Sequence, residues 1–268
     1  MIETITSDYN AFVKFLYTSV AWLILSTLLV CADDPQLNEI LSKHMEAMGG
    51  LTNWHQVESI RLAGTVEREG EVVDIVIIKK RPNQIRATVT VSIPGKEEQK
   101  LQLIRSHDGK TAWTATRLAG SPYIEKEELS EEAANELLAD AGVLPRLIKL
   151  WREGAELELL PSKTIDGISC YVIEAKPEGV LNKYTFYIST DTYRVTQYTN
   201  EHPKKGSTVT HLSEYNSEHS ILIPAINIIE SEQMGKSVMR TESIQIGVGI
   251  YEEYFAGRES PHTPVNYE

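Results

Sequence analysis

The side chains that could do covalent or metal chemistry are few in this chain and poorly spaced for it. Histidines stand at His44, His55, His107, His202, His211, His219 and His262. No two are four apart, and none lies near a cysteine. A zinc-type site on one helix face needs ligands one turn apart, so no such motif is present. Cys31 and Cys170 are the only cysteines, which gives neither a disulfide framework nor a thiolate ligand set. A Gly-x-Ser-x-Gly elbow, a phosphate loop and a dinucleotide fingerprint are all absent. Carboxylates are plentiful, but stretches such as Glu125 to Glu132 read as solvated faces, and no pair stands out as acid and base. Every enzyme class with a local signature is disfavoured. The expectation is a protein that is not an enzyme and uses no cofactor and no metal.

What remains is apolar surface. Of 268 residues, 41% are apolar, an ordinary globular make-up with length enough for a large core. Acidic residues outnumber basic ones 38 to 26, for a net charge of −12. Such a chain repels nucleic acid, which is excluded as a partner. Residues 15 to 31 form a charge-free apolar run of 17, short for a membrane span. With Val30-Cys31-Ala32 after it, residues 1–32 read as a secretory signal peptide. Leu28-Leu29-Val30-Cys31 also resembles a lipobox, which would leave Cys31 as a lipidated membrane anchor. Either way the body of the protein is expected to be exported.

The elements that would position an apolar site follow from periodicity. Pro35 to Met48 reads as a helix with Leu37, Ile40, Leu41, His44, Met45 and Met48 on one stripe, closed by Gly49-Gly50. His44 on that stripe reads as a core or lid histidine rather than a ligand. From Val57 the period changes to two, and a meander follows. Its runs, Val72 to Lys80, Gln84 to Val91 and Leu101 to Ile104, are separated by Arg81-Pro82-Asn83 and Pro94-Gly95. Asp108-Gly109 is expected to supply positive φ at both central residues of a hairpin ahead of Trp113. Arg117 to Glu128 reads as irregular. Ser130 to Ala141 and Val143 to Arg152 read as a helical hairpin carrying Leu137, Leu138, Leu147 and Trp151. A second β half begins at Glu156 and includes Tyr184 and Phe186; Cys170 there reads as a small core residue. About ten or eleven strands in hairpin order make an antiparallel sheet that must curl. The helices' apolar faces must be buried against it. The fold class is mainly β (α+β), a strongly curved antiparallel sheet with a helical lid.

Lys80-Arg81-Pro82-Asn83, then a strand, then Asp108-Gly109-Lys110 with Trp113 three residues on, resembles the outer-membrane lipoprotein-sorting (LolA-like) family. The resemblance covers about residues 36 to 255. It implies an unclosed β-barrel whose concave face is covered by helices, one domain over residues 33–256, and a flexible tail over 257–268. It implies a periplasmic carrier that holds acyl chains of lipoproteins or lipids. Its partners would be inner- and outer-membrane sorting components, and a monomer is expected. Arg81 matches the arginine that bonds to the helical lid, so it is the candidate latch. The candidate acyl-contacting residues are Leu37, Ile40, Leu41, His44 and Met48 on the first helix, and Leu137, Leu138, Leu147 and Trp151 on the hairpin. Trp113, Tyr184 and Phe186 on the sheet complete them. The Gly49-Gly50 break, the long insert from Arg117 to Trp151 and the tail mark a divergent member. The alternative is an envelope lipid sensor or scaffold using the same fold without transport. Burying a chain gains roughly 0.8 kcal/mol per CH₂, so a C16 chain gains on the order of 10 kcal/mol before costs.

Overall fold

A computed structural model describes residues 34–257. Internal contacts divide the chain into two compact units, Met1–Glu39 and Ile40–Glu268. Of the first, only the opening of helix α1 (Pro35–Ala47) is described, where Asp34 accepts a hydrogen bond from the Gln36 N–H at 2.9 Å. The leader over residues 1–32, Cys31 and the tail beyond residue 257 lie outside the described residues.

The second unit carries one antiparallel sheet of thirteen strands. Its N-terminal half is β1 (Ser59–Arg68), β2 (Glu71–Lys80), β3 (Gln84–Ile93), β4 (Lys96–His107), β5 (Ala112–Leu118) and the two-residue β6 (Glu127–Glu128). Its C-terminal half is β7 (Glu156–Ile165), β8 (Ile168–Lys176), β9 (Lys183–Ser189), β10 (Val195–His202), β11 (Gly206–Glu218), β12 (Ile221–Ser231) and β13 (Gly235–Ile246). Each half is a run of hairpins, because short polar turns let sequence neighbours pair. The halves meet where the first strand pairs the last, from Ile60 with Ile246 to Arg68 with Ser237. β6 and β7 are the two edges and do not meet, so the barrel is unclosed. Thirteen strands exceed the count expected from periodicity. One reason is β6, which pairs Glu128 with Trp113 inside a stretch expected to be irregular.

Register fixes which side chains share a face. Directly paired residues of antiparallel strands point the same way. Ile246, Ile60, Lys79, Ile85, His107 and Ala112 therefore form one row on one face. Ile60 belongs to the buried cluster with Met45, Trp54, Ile148, Ile221 and Ile223, so this is the face the helices cover. The covering elements are α1, α2 (Leu51–Gln56) and α4 (Arg146–Arg152), with α3 (Glu131–Asp140) before α4. Ser130 caps α3, its hydroxyl accepting from Ala133 N–H at 3.3 Å. Pro145 starts α4 three residues later than the apolar spacing suggests. Cys170 is fully buried within β8.

Two turns repay attention. Asp166 and Gly167 both have positive φ, 48° and 82°, and close a two-residue hairpin. The Asp108-Gly109 turn is different: among its residues only Gly109 has positive φ, at 99°. The Asp108 carboxylate accepts from the N–H groups of Lys110 and Thr111 at 2.9 and 2.8 Å. That side-chain cap organises a four-residue loop and removes the need for a second left-handed residue.

Gly64 sits at the register shift of the β1–β13 seam, where a Cβ would lie 1.8 Å from the Arg240 carbonyl oxygen. Gly64→Ala is expected to cost about 2–3 kcal/mol by forcing the seam apart. A lowered urea midpoint at unchanged slope would show it.

Candidate functional site: an apolar trough beside a helical cover

The end of α1 is fastened to the C-terminal half of the sheet. Met48 O accepts from Leu222 N–H at 3.0 Å and from Trp54 Nε1–H at 2.9 Å. Gly49, with φ 111°, lies so close to the β11–β12 turn that a Cβ would stand 2.2 Å from Ser220 O. Only glycine meets both demands. Lys43 donates to Tyr193 Oη at 3.3 Å and lies over its ring. His44 is buried, with Nδ1 2.7 Å from Tyr193 O and Nε2 without a partner. The ring is therefore neutral with its proton on Nδ1. Burial outweighs that bond and pulls its pKa down from 6.5 to about 4.

Arg81 stands at the β2–β3 corner and reaches α2. Its Nε–H donates to Val57 O and an Nη2–H to Trp54 O, both at 2.8 Å. These are the loose carbonyls at the end of α2, whose cap N–H of Val57 also bonds to Trp54 O. On the hairpin, Lys149 Nζ donates to Leu138 O at 2.7 Å and Ala139 O at 3.2 Å, tying α4 to the end of α3. The other side of α3 is clasped by Lys205, 3.3 Å from Glu132 and 2.5 Å from Glu136. A cleft of about 280 Å³ lies beside this clasp, lined by Glu132, Glu136, Leu181 and His202 among others. Among the described residues, no group of three or more His, Cys, Asp or Glu side chains is placed to hold a metal ion.

The sequence candidates divide by face. Trp151 packs on the cluster around Trp54 and Ile148, and Leu147 is buried on the same helix. Ile40, Leu41 and Met48 are buried in the second unit; Leu37, in the first, is buried too. Leu137 and Leu138 are half-buried. Tyr184 and Phe186 stack on the helix-covered face, Phe186 next to Tyr198, with the Arg146 guanidinium 5.4 Å from the Tyr184 ring and 5.0 Å from Tyr198. Trp113 is not brought to them. It pairs Ser106, which pairs Arg86, on the opposite face. There the chain's own C-terminal turn, α5 (Glu252–Phe255), covers it. Phe255 O accepts from Trp113 Nε1–H at 2.8 Å and Ser106 Oγ–H at 2.9 Å, and the buried Arg86 donates to Tyr254 O at 2.8 Å. A period-two pattern shows that Trp113 is buried; it does not show what buries it.

The residues that sequence reasoning missed continue the helix-covered face beyond the helices. Along β2, Val73, Ile75 and Ile77 follow one another on the side of Lys79. Val89 and Leu103 lie beside Ile75, and Val91 and Leu101 pair each other one row on. All are half-buried except Leu103, which is 44% exposed; Leu118, paired to Leu101, is 50% exposed. This is an apolar trough open to solvent, on the inner side of an unclosed barrel. The alternation Val73-x-Ile75-x-Ile77-x-Lys79 was the available signal.

No family model matches the chain, and no curated protein matches it. Solved structures do. A DUF1329 family protein from Desulfovibrio piger superposes with a TM-score of 0.54 at 13% identity, over 81% of this chain and 96% of that one. A putative outer membrane lipoprotein-sorting protein domain from Vibrio parahaemolyticus gives 0.53 at 12%, over 82% and 97%. A LolA superfamily protein from Nitrosomonas europaea gives 0.53 at 12%, over 81% and 96%. The chain thus has the fold found in LolA superfamily and lipoprotein-sorting proteins, the fold that the Arg-Pro-Asn corner and Asp-Gly turn resemble.

The depressed His44 pKa carries a sign. The unfolded chain takes up the proton first as pH falls, so stability is intact above 6.5 and is lost between 6.5 and 4. The loss is about 3 kcal/mol. His44→Leu is expected to remove that part of the acid slope in denaturation curves taken across the window.

Proposed function

We propose that this protein binds acyl chains of lipids or lipoproteins in the trough and carries them through the cell envelope, with no covalent chemistry. The observation that carries this reading is the half-exposed inner surface of Ile75, Val89, Leu101 and Leu103, contiguous in register and next to the helix-covered part of the same face. An exposed contiguous apolar patch is costly to leave without a ligand. The fold shared with lipoprotein-sorting proteins supports the same reading. Export through the leader at residues 1–32 belongs to this proposal, as does anchoring through Cys31 in its lipidated form. Among the described residues no helix is long and apolar enough to cross a membrane. A sensor that reports bound chains by protein contact is the second reading. It is favoured by the filled cluster of Trp54, Ile148 and Ile223 under the helices, which leaves the trough as a surface rather than a sealed chamber.

In this reading Arg81 latches α2 to the sheet corner. Arg81→Leu leaves Trp54 O and Val57 O without their donors. It is expected to raise amide exchange across residues 51–57 and to speed ligand release. Unchanged exchange and release rates would remove Arg81 from the mechanism.

The function itself is tested by native mass spectrometry of protein purified without detergent, followed by titration with a fluorescent fatty acid. Co-purified lipid or saturable uptake is expected. Leu103→Glu, at an exposed position, is expected to change stability by less than about 0.5–1 kcal/mol. The same change should weaken uptake about tenfold by placing a charge on the chain's path. A protein that holds no lipid and takes up no fatty acid would refute a carrier.

A further inference from the structure

The trough is not apolar along its whole length. On β2 it runs Val73, Ile75, Ile77 and then Lys79. Lys79 stands between Ile60 and Ile85 in its row, and both are buried at 3% exposure. The same row continues to His107, itself buried. Above the row lies α4. Ile148 packs in the cluster that contains Ile60, and it is flanked in that helix by Arg146 and Lys149. Lys149 acts electrostatically on both Lys79 and His107, which places its ammonium over this row.

The charge balance here runs against that of the chain. Acids outnumber bases 38 to 26, yet the two charges that act on Lys79, from Arg146 and Lys149, are both positive. Arg146 is offset by its ion pair with Asp140, and Lys149 by Glu153. The Lys79 side chain has no hydrogen bond or ion pair among the described residues. Burial first, then Arg146 and Lys149, pull its pKa down from 10.5 to about 7. By surface exposure Lys79 is half-buried, so its ammonium stands at the mouth of the apolar trough, partly desolvated and with no acid beside it. Perturbed, unpaired groups of this kind mark ligand sites.

We propose that Lys79, with Arg146 and Lys149 beside it, is the subsite for the monoanionic headgroup of an acyl-chain ligand, whose chain lies along Ile77, Ile75 and Val89. One unbalanced positive charge calls for one negative charge. A fatty carboxylate and a phosphodiester both supply it. A ligand anion replaces the missing partner of Lys79 by a charge-assisted hydrogen bond, while Lys149 keeps one ammonium hydrogen beyond the two given to Leu138 and Ala139. The inference rests on the acyl-binding reading and sharpens it: the ligand is an acidic amphiphile, not a neutral one.

The test titrates the full chain with dansylamino-undecanoic acid and with its methyl ester, which share a chain and differ in charge. The acid is expected to bind about tenfold or more tightly than the ester. Competition by lysophosphatidylglycerol against the bound acid decides between headgroups: displacement extends the subsite to phosphodiesters, and its absence confines it to carboxylates. Lys79→Met is expected to bind acid and ester alike with its melting temperature kept, because a half-buried ammonium with no partner is removed. Lys79→Arg is expected to restore the preference for the acid. Equal binding of acid and ester by the natural chain, or a preference that survives Lys79→Met, overturns this subsite alone. Failure of acid and ester both to bind overturns the acyl-binding reading and the subsite with it.

Discussion

The pairing of the first strand with the last is the constraint on which everything else depends. Hairpins alone would give two separate ladders, β1 to β6 and β7 to β13. The β1–β13 seam makes them one sheet with one continuous inner face. That face holds Ile60 at one side of the seam and Phe186 far along the other, and α4 can then touch both Ile60's cluster and the Tyr184 and Tyr198 rings. Joining residues so distant in sequence carries a loop-closure cost, which makes the seam a non-local contact that the hairpins do not share. The close approach at Gly64 is the geometric signature of that joint.

An open sheet has two faces and two edges to protect. The chain covers the outer face of β3 to β5 with its own C-terminal turn, whose carbonyls take the Arg86, Ser106 and Trp113 donors. The Arg86 guanidinium also lies over the Tyr254 ring at 4.0 Å and faces the Trp113 ring at 5.6 Å. The edges are kept short or charged: β6 is two glutamates, and β7 carries Glu156, Glu158 and Lys163. With the outer face filled from within, the inner face of the same strands is left half-bare, and that surplus is where ligand can lie.

The helical cover is held by buried apolar side chains, Leu41, Trp54 and Ile148 among them, and by polar bonds at its ends. Arg81 takes the end of α2, Lys149 the end of α3, Lys205 the flank of α3, and Tyr193 and Leu222 the end of α1. α3 has no buried residue, so its attachment is the weakest in apolar terms. The Lys205 ion pairs with Glu132 and Glu136 are partly exposed and contribute little each.

Much of this was legible in the residues themselves. Period-two runs gave the strands, Gly49-Gly50 and Ser130 gave helix ends, and the Arg81-Pro82-Asn83 corner pointed to the fold. These are local properties, set by backbone sterics and by the alternation of side chains. The Asp108-Gly109 turn departed from expectation because a carboxylate cap can replace a second positive φ, a choice that depends on loop length. Trp113 and Lys79 show the larger limit. Alternation says that two residues face opposite ways, but not which way is inward, nor which distant segment lies opposite. Tertiary structure put Trp113 under Phe255 and Lys79 at the end of the trough, beneath α4. The sequence by itself determined a curved antiparallel sheet with helices to bury. Only long-range packing decided which face received the helices, which received the C-terminal turn, and where an unpaired charge would stand.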